Sequence, residues 1–183
     1  MQVEPLAIAD VKLITPRRFR DERGSFCETW SERAWQAAGL QARFVQDNHV
    51  HSAAKGVVRG LHFQLPPAAQ GKLVRVTRGA ILDVAVDIRR ASPTFGRHVA
   101  SVLSAENGSQ LWVPVGFAHG YATLEPDTEV VYKVTNPYEP ALDRGIRWDD
   151  PALAIAWGVT AATAVLSEKD RALPALAEAP DLF

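Results

Sequence analysis

The 183-residue chain holds one cysteine, Cys27, and one methionine. A single thiol excludes an internal disulfide framework and a cysteine-based zinc finger, and it fits a reducing compartment. Surplus charge is missing as well. Twenty Lys and Arg against twenty-one Asp and Glu leave a net charge of −1, too little for a protein that grips nucleic acid through a basic face. No apolar run nears the ~18 residues that a membrane-spanning helix needs. The opening MQVEPLAIADVKL carries early acids and no signal-peptide pattern, so the expectation is an untargeted cytoplasmic protein. Lysine is scarce, five against fifteen arginines. The planar arginine fork suits phosphates and carboxylates, although 28 alanines point equally to a habit of genome composition.

What is present is short strands. At about 150 residues per domain the length predicts one domain over residues 1–183, with an irregular or helical tail over 151–183. Fifteen of nineteen valines lie between Val45 and Val134, whereas eleven alanines follow Pro140. That shift predicts a strand-rich middle. The expected strands are Lys12–Phe19, Ser25–Trp30, Arg43–Val50, Val57–Phe63, Leu73–Arg78, Ala80–Ile88, Arg97–Ser104, Gln110–Val115, His119–Leu124 and Thr128–Thr135. Short strands at this spacing predict a mainly β sandwich or barrel. Only Ser31–Ala38 and Ser167–Ala177 read as helices, each with a serine cap. Gly79, between two strong runs, marks a tight reversal. In Ile81–Ile88 the residues alternate, with Asp83 and Asp87 on one face. On a cavity wall such acids would be functional and on an outer wall they are solvated surface; the sequence alone favours the outer wall.

Two segments concentrate chemistry. One runs from Gly56 to Lys72 and holds Arg59, His62 and Lys72 around glycines; the other is Pro114–Gly120, with His119. Together they resemble the two motifs of cupins, which implies a jelly-roll β-barrel with a few short peripheral helices. Metal-binding cupins carry His-x-His in the first motif. Here that place reads His62-Phe63-Gln64, which leaves two imidazoles and no third ligand. Three protein ligands are the usual minimum for a catalytic divalent metal, so chemistry without a metal or other cofactor is expected.

Seven blocks occur in order, three of them within those two segments. They are Asp21-Glu22-Arg23-Gly24, Gln46-Asp47-Asn48-His49, Val58-Arg59-Gly60-Leu61-His62, Gln70-Gly71-Lys72, Ser92-Pro93-Thr94-Phe95-Gly96, Gly116-Phe117-Ala118-His119-Gly120 and Arg144-Gly145-Ile146-Arg147-Trp148-Asp149-Asp150-Pro151. Over about Val11 to Asp170 the chain resembles the dTDP-4-dehydrorhamnose 3,5-epimerases. The resemblance implies a sugar-nucleotide substrate, dTDP-4-dehydro-6-deoxy-glucose, whose C4 ketone acidifies the C3 and C5 protons. Such a reaction needs a base on one face of the sugar, a proton donor on the other, and a cation for the enolate oxygen. By resemblance, His62 is the base, Asp170 the carboxylate that orients it through Nδ1, Tyr132 the proton donor, and Lys72 the cation. Asp170 also stands three residues after Ser167, where a helix start alone would explain it.

The same resemblance implies substrate contacts at Arg23, Glu28, Gln46, Asp47, Asn48, Arg59, His119 and Lys169, with Tyr138 stacked on the thymine. Two departures bear on binding. Asn136-Pro137-Tyr138 stands where a tyrosine pair is commoner, and Asp143 stands where Glu is usual. Arg59 and His62 are three apart, so strict alternation puts them on opposite faces. Both should face a ligand, which predicts an irregularity at Gly60. A homodimer is expected, with the N-terminal strands contributing, Phe19–Glu28 beside the neighbour's cavity and Arg23 serving the partner's site. Three other functions stay open at this point: a mono-epimerase, a cupin that only binds sugar nucleotides, and a metal-dependent cupin oxygenase.

Overall fold

The computed structural model describes residues 1–183. Thirteen strands are present: β1 Gln2–Pro5, β2 Lys12–Thr15, β3 Arg18–Asp21, β4 Gly24–Cys27, β5 Gln46–Ser52, β6 Val58–Gln64, β7 Lys72–Arg78, β8 Ala80–Asp87, β9 His98–Ser104, β10 Gln110–Val113, β11 Phe117–Thr123, β12 Thr128–Val134 and β13 Asp143–Gly145. They build a six-stranded sheet, β1-β2-β10-β7-β12-β5, and a five-stranded sheet, β13-β6-β11-β8-β9. β3 and β4 form a separate hairpin. Val74, Val76, Leu111 and Val130 of the first sheet share one buried cluster with Ile81, Ala85, Val99 and Leu103 of the second. The sheets therefore face each other as a sandwich, and the site lies between them.

Both sheets are also covered on their outer faces. Ile14 and Leu73 of the six-stranded sheet pack with Trp35 of helix α1 (Glu32–Ala37) and with Leu40. Four edge-to-face aromatic contacts among Trp30, Trp35, Phe44 and Trp112 extend this patch. Val84, Val86 and Ile88 on the outer face of the five-stranded sheet pack against Trp148, Leu153, Trp157 and Leu176 from the tail. A strand buried on both faces cannot show clean polar alternation.

That burial corrects the expected outward direction of the acids on β8. Asp83 and Asp87 are both 0% exposed. Asp83 shares its strand face with the inward Ile81 and Ala85. Asp87 is held by the backbone N–H and guanidinium of Arg89 and by the hydroxyls of Ser92 and Thr94. These donors hold its carboxyl well below the usual carboxylate range, against the burial that would raise it.

Other expectations divide along local chemistry. Ser31 caps α1, accepting from the Ala34 N–H at 3.4 Å. The second helix, α2, covers only Glu168–Arg171. Pro174 disfavours helical backbone at Leu173 and stops it there. The Lys12–Phe19 run splits at Pro16, which has no N–H for the ladder. β1 and β13 were not expected. Gly79 joins β7 and β8 at φ +75°, yet these strands belong to different sheets, so it turns a corner between sheets rather than closing a hairpin. No helix is long and apolar enough to cross a membrane.

Candidate active site

β6 carries the irregularity that brings the site together. His62 stands opposite His119 of β11, and Arg59 opposite Tyr121, so the register shifts between them. Gly60 sits inside that shift at φ +107°. A Cβ there would lie 2.5 Å from the His119 carbonyl oxygen and 2.7 Å from the Gly120 Cα. Only glycine fits both the conformation and the contact. The expected irregularity is present, and Arg59 and His62 line the same lobe of one cleft.

The cleft has two lobes that share His62, Lys72, Tyr132 and Lys169. The lobe of about 570 Å³ adds Gln46, Asn48, Gln64, Gln70, Tyr138 and Asp143. The lobe of about 730 Å³ adds Arg59, His119, Tyr121, Ser167 and Asp170. His62 and His119 rise from the five-stranded sheet, whereas Lys72 and Tyr132 rise from the six-stranded sheet. A flat ring between the sheets is thus addressed from both faces.

His62 Nε2 bonds Asp170 Oδ1 at 2.6 Å. The expected contact was through Nδ1; the structure places it at Nε2 and leaves Nδ1 as the free ring nitrogen. Asp170 is buried by the start of α2, where Ser167 Oγ donates to its Oδ2 at 2.8 Å and also accepts from its N–H at 3.1 Å. The helix-start role and the contact with His62 therefore coexist. Burial alone would raise the Asp170 carboxyl, but His62 and Ser167 outweigh it and hold the group below its ordinary value.

Half-buried Lys72 reaches the His62 carbonyl at 3.4 Å. Desolvation pulls its ammonium down to about 8, against the attraction of Asp143 and Asp83. Burial pushes the Tyr132 phenol above its ordinary value, opposed by Arg59. The phenol is therefore protonated at neutral pH and can give a proton. His119 Nε2 meets Asp83 Oδ1 at 2.7 Å, a second buried imidazole–carboxylate pair. Both histidines thus have Nε2 engaged by a carboxylate, and no three His, Cys, Asp or Glu side chains converge as metal ligands.

At the mouth, Gln46 Nε2 donates to Asn48 Oδ1 at 2.9 Å, and Tyr138, 55% exposed, donates its hydroxyl to Asp143 at 3.0 Å. Lys169 pairs with the same Asp143 carboxylate, which holds the ammonium above its ordinary value against burial. Asp47 is a correction. It alternates with Gln46 and Asn48, so its side chain points to the outer face, where it pairs with Lys133 at 2.8 Å. Arg23 and Glu28 line neither lobe. Glu28 is exposed, and Arg23 bonds Asp21 on the exposed β3–β4 hairpin. The sequence marks Asp83 only as a wall acid and Ser167 only as a helix cap, and Tyr121 not at all; it places none of them in the site. Alternation from His119 would have found Tyr121, and no sequence signal linked Asp83 to His119.

A sequence model of the family described as dTDP-4-dehydrorhamnose 3,5-epimerase matches residues 5–178. The enzyme of that name from Sinorhizobium fredii is 56% identical over 183 residues, covering 100% of this chain and 93% of its own. A crystal structure of the Bacillus anthracis enzyme with TDP and PPi bound superposes with a TM-score of 0.92 at 48% identity, over 95% of this chain and 98% of that one. The Legionella pneumophila dTDP-6-deoxy-D-glucose-3,5-epimerase in complex with dTDP-4-keto-L-rhamnose gives a TM-score of 0.92 at 43% identity, over 97% and 93%. With its fold, its ordered motifs and its nearly full-length matches all in agreement, this chain belongs to the dTDP-4-dehydrorhamnose 3,5-epimerase family.

Proposed function

We propose that the chain epimerises dTDP-4-dehydro-6-deoxy-D-glucose at C3 and C5, yielding dTDP-4-dehydro-L-rhamnose for dTDP-L-rhamnose synthesis in the cytoplasm. One observation carries this reading. The His62–Asp170 pair stands on one wall of the cleft, Tyr132 stands on the facing sheet, and Lys72 is within reach of both lobes. His62 Nδ1 takes the proton from C3, and the C–H electrons form the enolate with the C4 carbonyl. Asp170 holds the imidazolium that results. The Lys72 ammonium stabilises the oxyanion. Tyr132 then protonates the carbon from the opposite face; the phenolate regains a proton from solvent and the His62 imidazolium gives its proton up to solvent, which restores both groups. The same cycle at C5 completes the reaction, which is redox neutral and uses no cofactor or metal in this scheme.

Arg59, Gln46, Asn48, His119 and Lys169 hold the sugar nucleotide, and Tyr138 stacks on its base at the open mouth. Asp143 fixes Lys169 and Tyr138. Arg23 and Glu28 stand outside this cleft, which supports a homodimer in which Arg23 of the exposed hairpin serves the partner's site. Phe19 and Phe26, directly paired across that hairpin and 50% and 69% exposed, give it an apolar face to bury. The test is NMR of the product formed in D2O. Inverted configuration with deuterium at both C3 and C5 supports the reading. Deuterium at one carbon only means a mono-epimerase, and tight nucleotide binding without exchange means a binding protein.

A further inference from the structure

We propose that Gln64 is a positioning residue for nucleotide binding: its carboxamide clamps the backbone on both sides of Tyr138 and holds that ring as the platform for the base. The proposal deepens the reading above and rests on its stacking role for Tyr138. The platform needs such a clamp. Tyr138 lies in the segment 135–139, which is neither helix nor strand, between β12 and a 3-10 turn over Pro140–Leu142. No strand ladder runs through it, and a residue 55% exposed is not fixed by packing. Backbone groups outside regular structure must find side-chain or water partners. Pro137 has no N–H, so its carbonyl is the one backbone group it offers.

Gln64 supplies the partners. It ends β6, is 3% exposed, and stands opposite Asp143 of β13. Its Nε2 donates to the Pro137 carbonyl at 3.1 Å and to the Ala68 carbonyl at 2.7 Å. Its Oε1 accepts from the Glu139 N–H at 2.8 Å. One amide therefore grips the peptide before Tyr138 and the peptide after it, and ties both to the β6–β7 loop. Both of its N–H groups are spent on carbonyls, so it has no donor left for a ligand and acts through Tyr138. Two other bonds reach the residue: Gln46 Oε1 accepts from its N–H at 3.3 Å, and Asp143 accepts from its hydroxyl at 3.0 Å. Those two are exposed, whereas the Gln64 bonds are partly buried, where a hydrogen bond is stronger and a lost partner costs more. The place that holds a second histidine in metal-binding cupins thus serves the backbone of a binding segment.

Calorimetric titration with dTDP of Gln64→Met, Tyr138→Ala and the double variant tests this. Tyr138→Ala should weaken binding by about five- to 150-fold, the range for base–aromatic stacks. Gln64→Met keeps the length of the side chain and removes all three bonds. It should weaken dTDP by at least about fivefold and by no more than Tyr138→Ala does. The double variant should match Tyr138→Ala within about twofold, because Gln64 then has no platform to hold. In Gln64→Met, KM for the sugar nucleotide should rise by the same factor as the dTDP loss while kcat stays within about twofold, the mark of lost uniform binding. Wild-type dTDP affinity in folded Gln64→Met overturns the proposal, and so do additive losses in the double variant or a fall in kcat at unchanged KM. Gln64→Glu keeps the shape and the acceptor for Glu139, and takes the same measurements if circular dichroism shows Gln64→Met unfolded. Failure of both to fold also overturns the proposal, by making Gln64 a residue of the fold. Wild-type affinity in Tyr138→Ala overturns the stacking reading, and the clamp with it. A loss in Tyr138→Ala with none at Gln64 overturns the clamp alone.

Discussion

Asp170→Asn isolates the part of the site most open to calculation. The carboxylate is 5% exposed and accepts from His62 Nε2 at 2.6 Å and from Ser167 Oγ at 2.8 Å. An asparagine oxygen can keep only one of these donors. With the oxygen on Ser167, its amide N–H faces Nε2, and two donors cannot pair. The imidazole must then move its proton to Nδ1, the atom that has to accept the proton from carbon. A hydrogen bond to a charged group contributes about 1.5–3 kcal/mol. At about 1.4 kcal/mol per decade that is roughly ten- to 150-fold in rate. The wrong tautomer takes the total to about 10³–10⁴, as for the equivalent change in Ser–His–Asp enzymes. The assay is the rate of deuterium entry at C3 and C5, with circular dichroism melting to show that the fold persists. A folded variant within about fivefold of wild type, far short of the loss calculated from the tautomer, would refute the assignment of Asp170.

Lys72 should set the basic limb of the pH profile. Its ammonium is required and is pulled down to about 8, so kcat/KM should fall as pH rises through about 8. A limb that begins only near 10 would contradict this. The same shift acts on stability. Between about 8 and 10.5 the unfolded chain holds a proton that the folded chain has lost, so this group makes stability rise with pH across that window, as denaturant titrations at several pH values would show. Tyr132→Phe should lower epimerisation by about 10²-fold or more while deuterium still enters with retained configuration, a split that product NMR reads directly. Gly60→Ala should cost at least about 3 kcal/mol, because φ is +107° and the new Cβ meets backbone of β11 that cannot yield; a melting temperature unchanged by the substitution would contradict that. Light scattering at micromolar concentration should give twice the 20.0 kDa chain mass, and a monomer would remove the proposed role of Arg23.

The strands were legible where valine runs stood between glycine and proline, and Gly60 was legible because Arg59 and His62 had to share a face. What was hidden depends on a third layer. The tail buries the outer side of β8, so the acids on that strand had no solvated wall to occupy, and Asp83 instead became the partner of His119. Sequence separation concealed that pair, 36 residues apart on neighbouring strands. Asp47 shows the opposite failure. Its motif block implies a substrate contact, although period-two alternation sets it apart from Gln46 and Asn48. The acid–base residues were named by resemblance. Their placement on facing sheets became visible only when β6 and β12 fell into different sheets of the sandwich.

The most direct measurement compares wild type and His62→Ala in D2O with dTDP-4-dehydro-6-deoxy-D-glucose, following both carbons by NMR. Wild type should take up deuterium at C3 and C5, and the variant should take up none at either carbon while still binding dTDP. Exchange at the wild-type rate in His62→Ala would contradict the assignment of the base, and with it the mechanism built across this cleft.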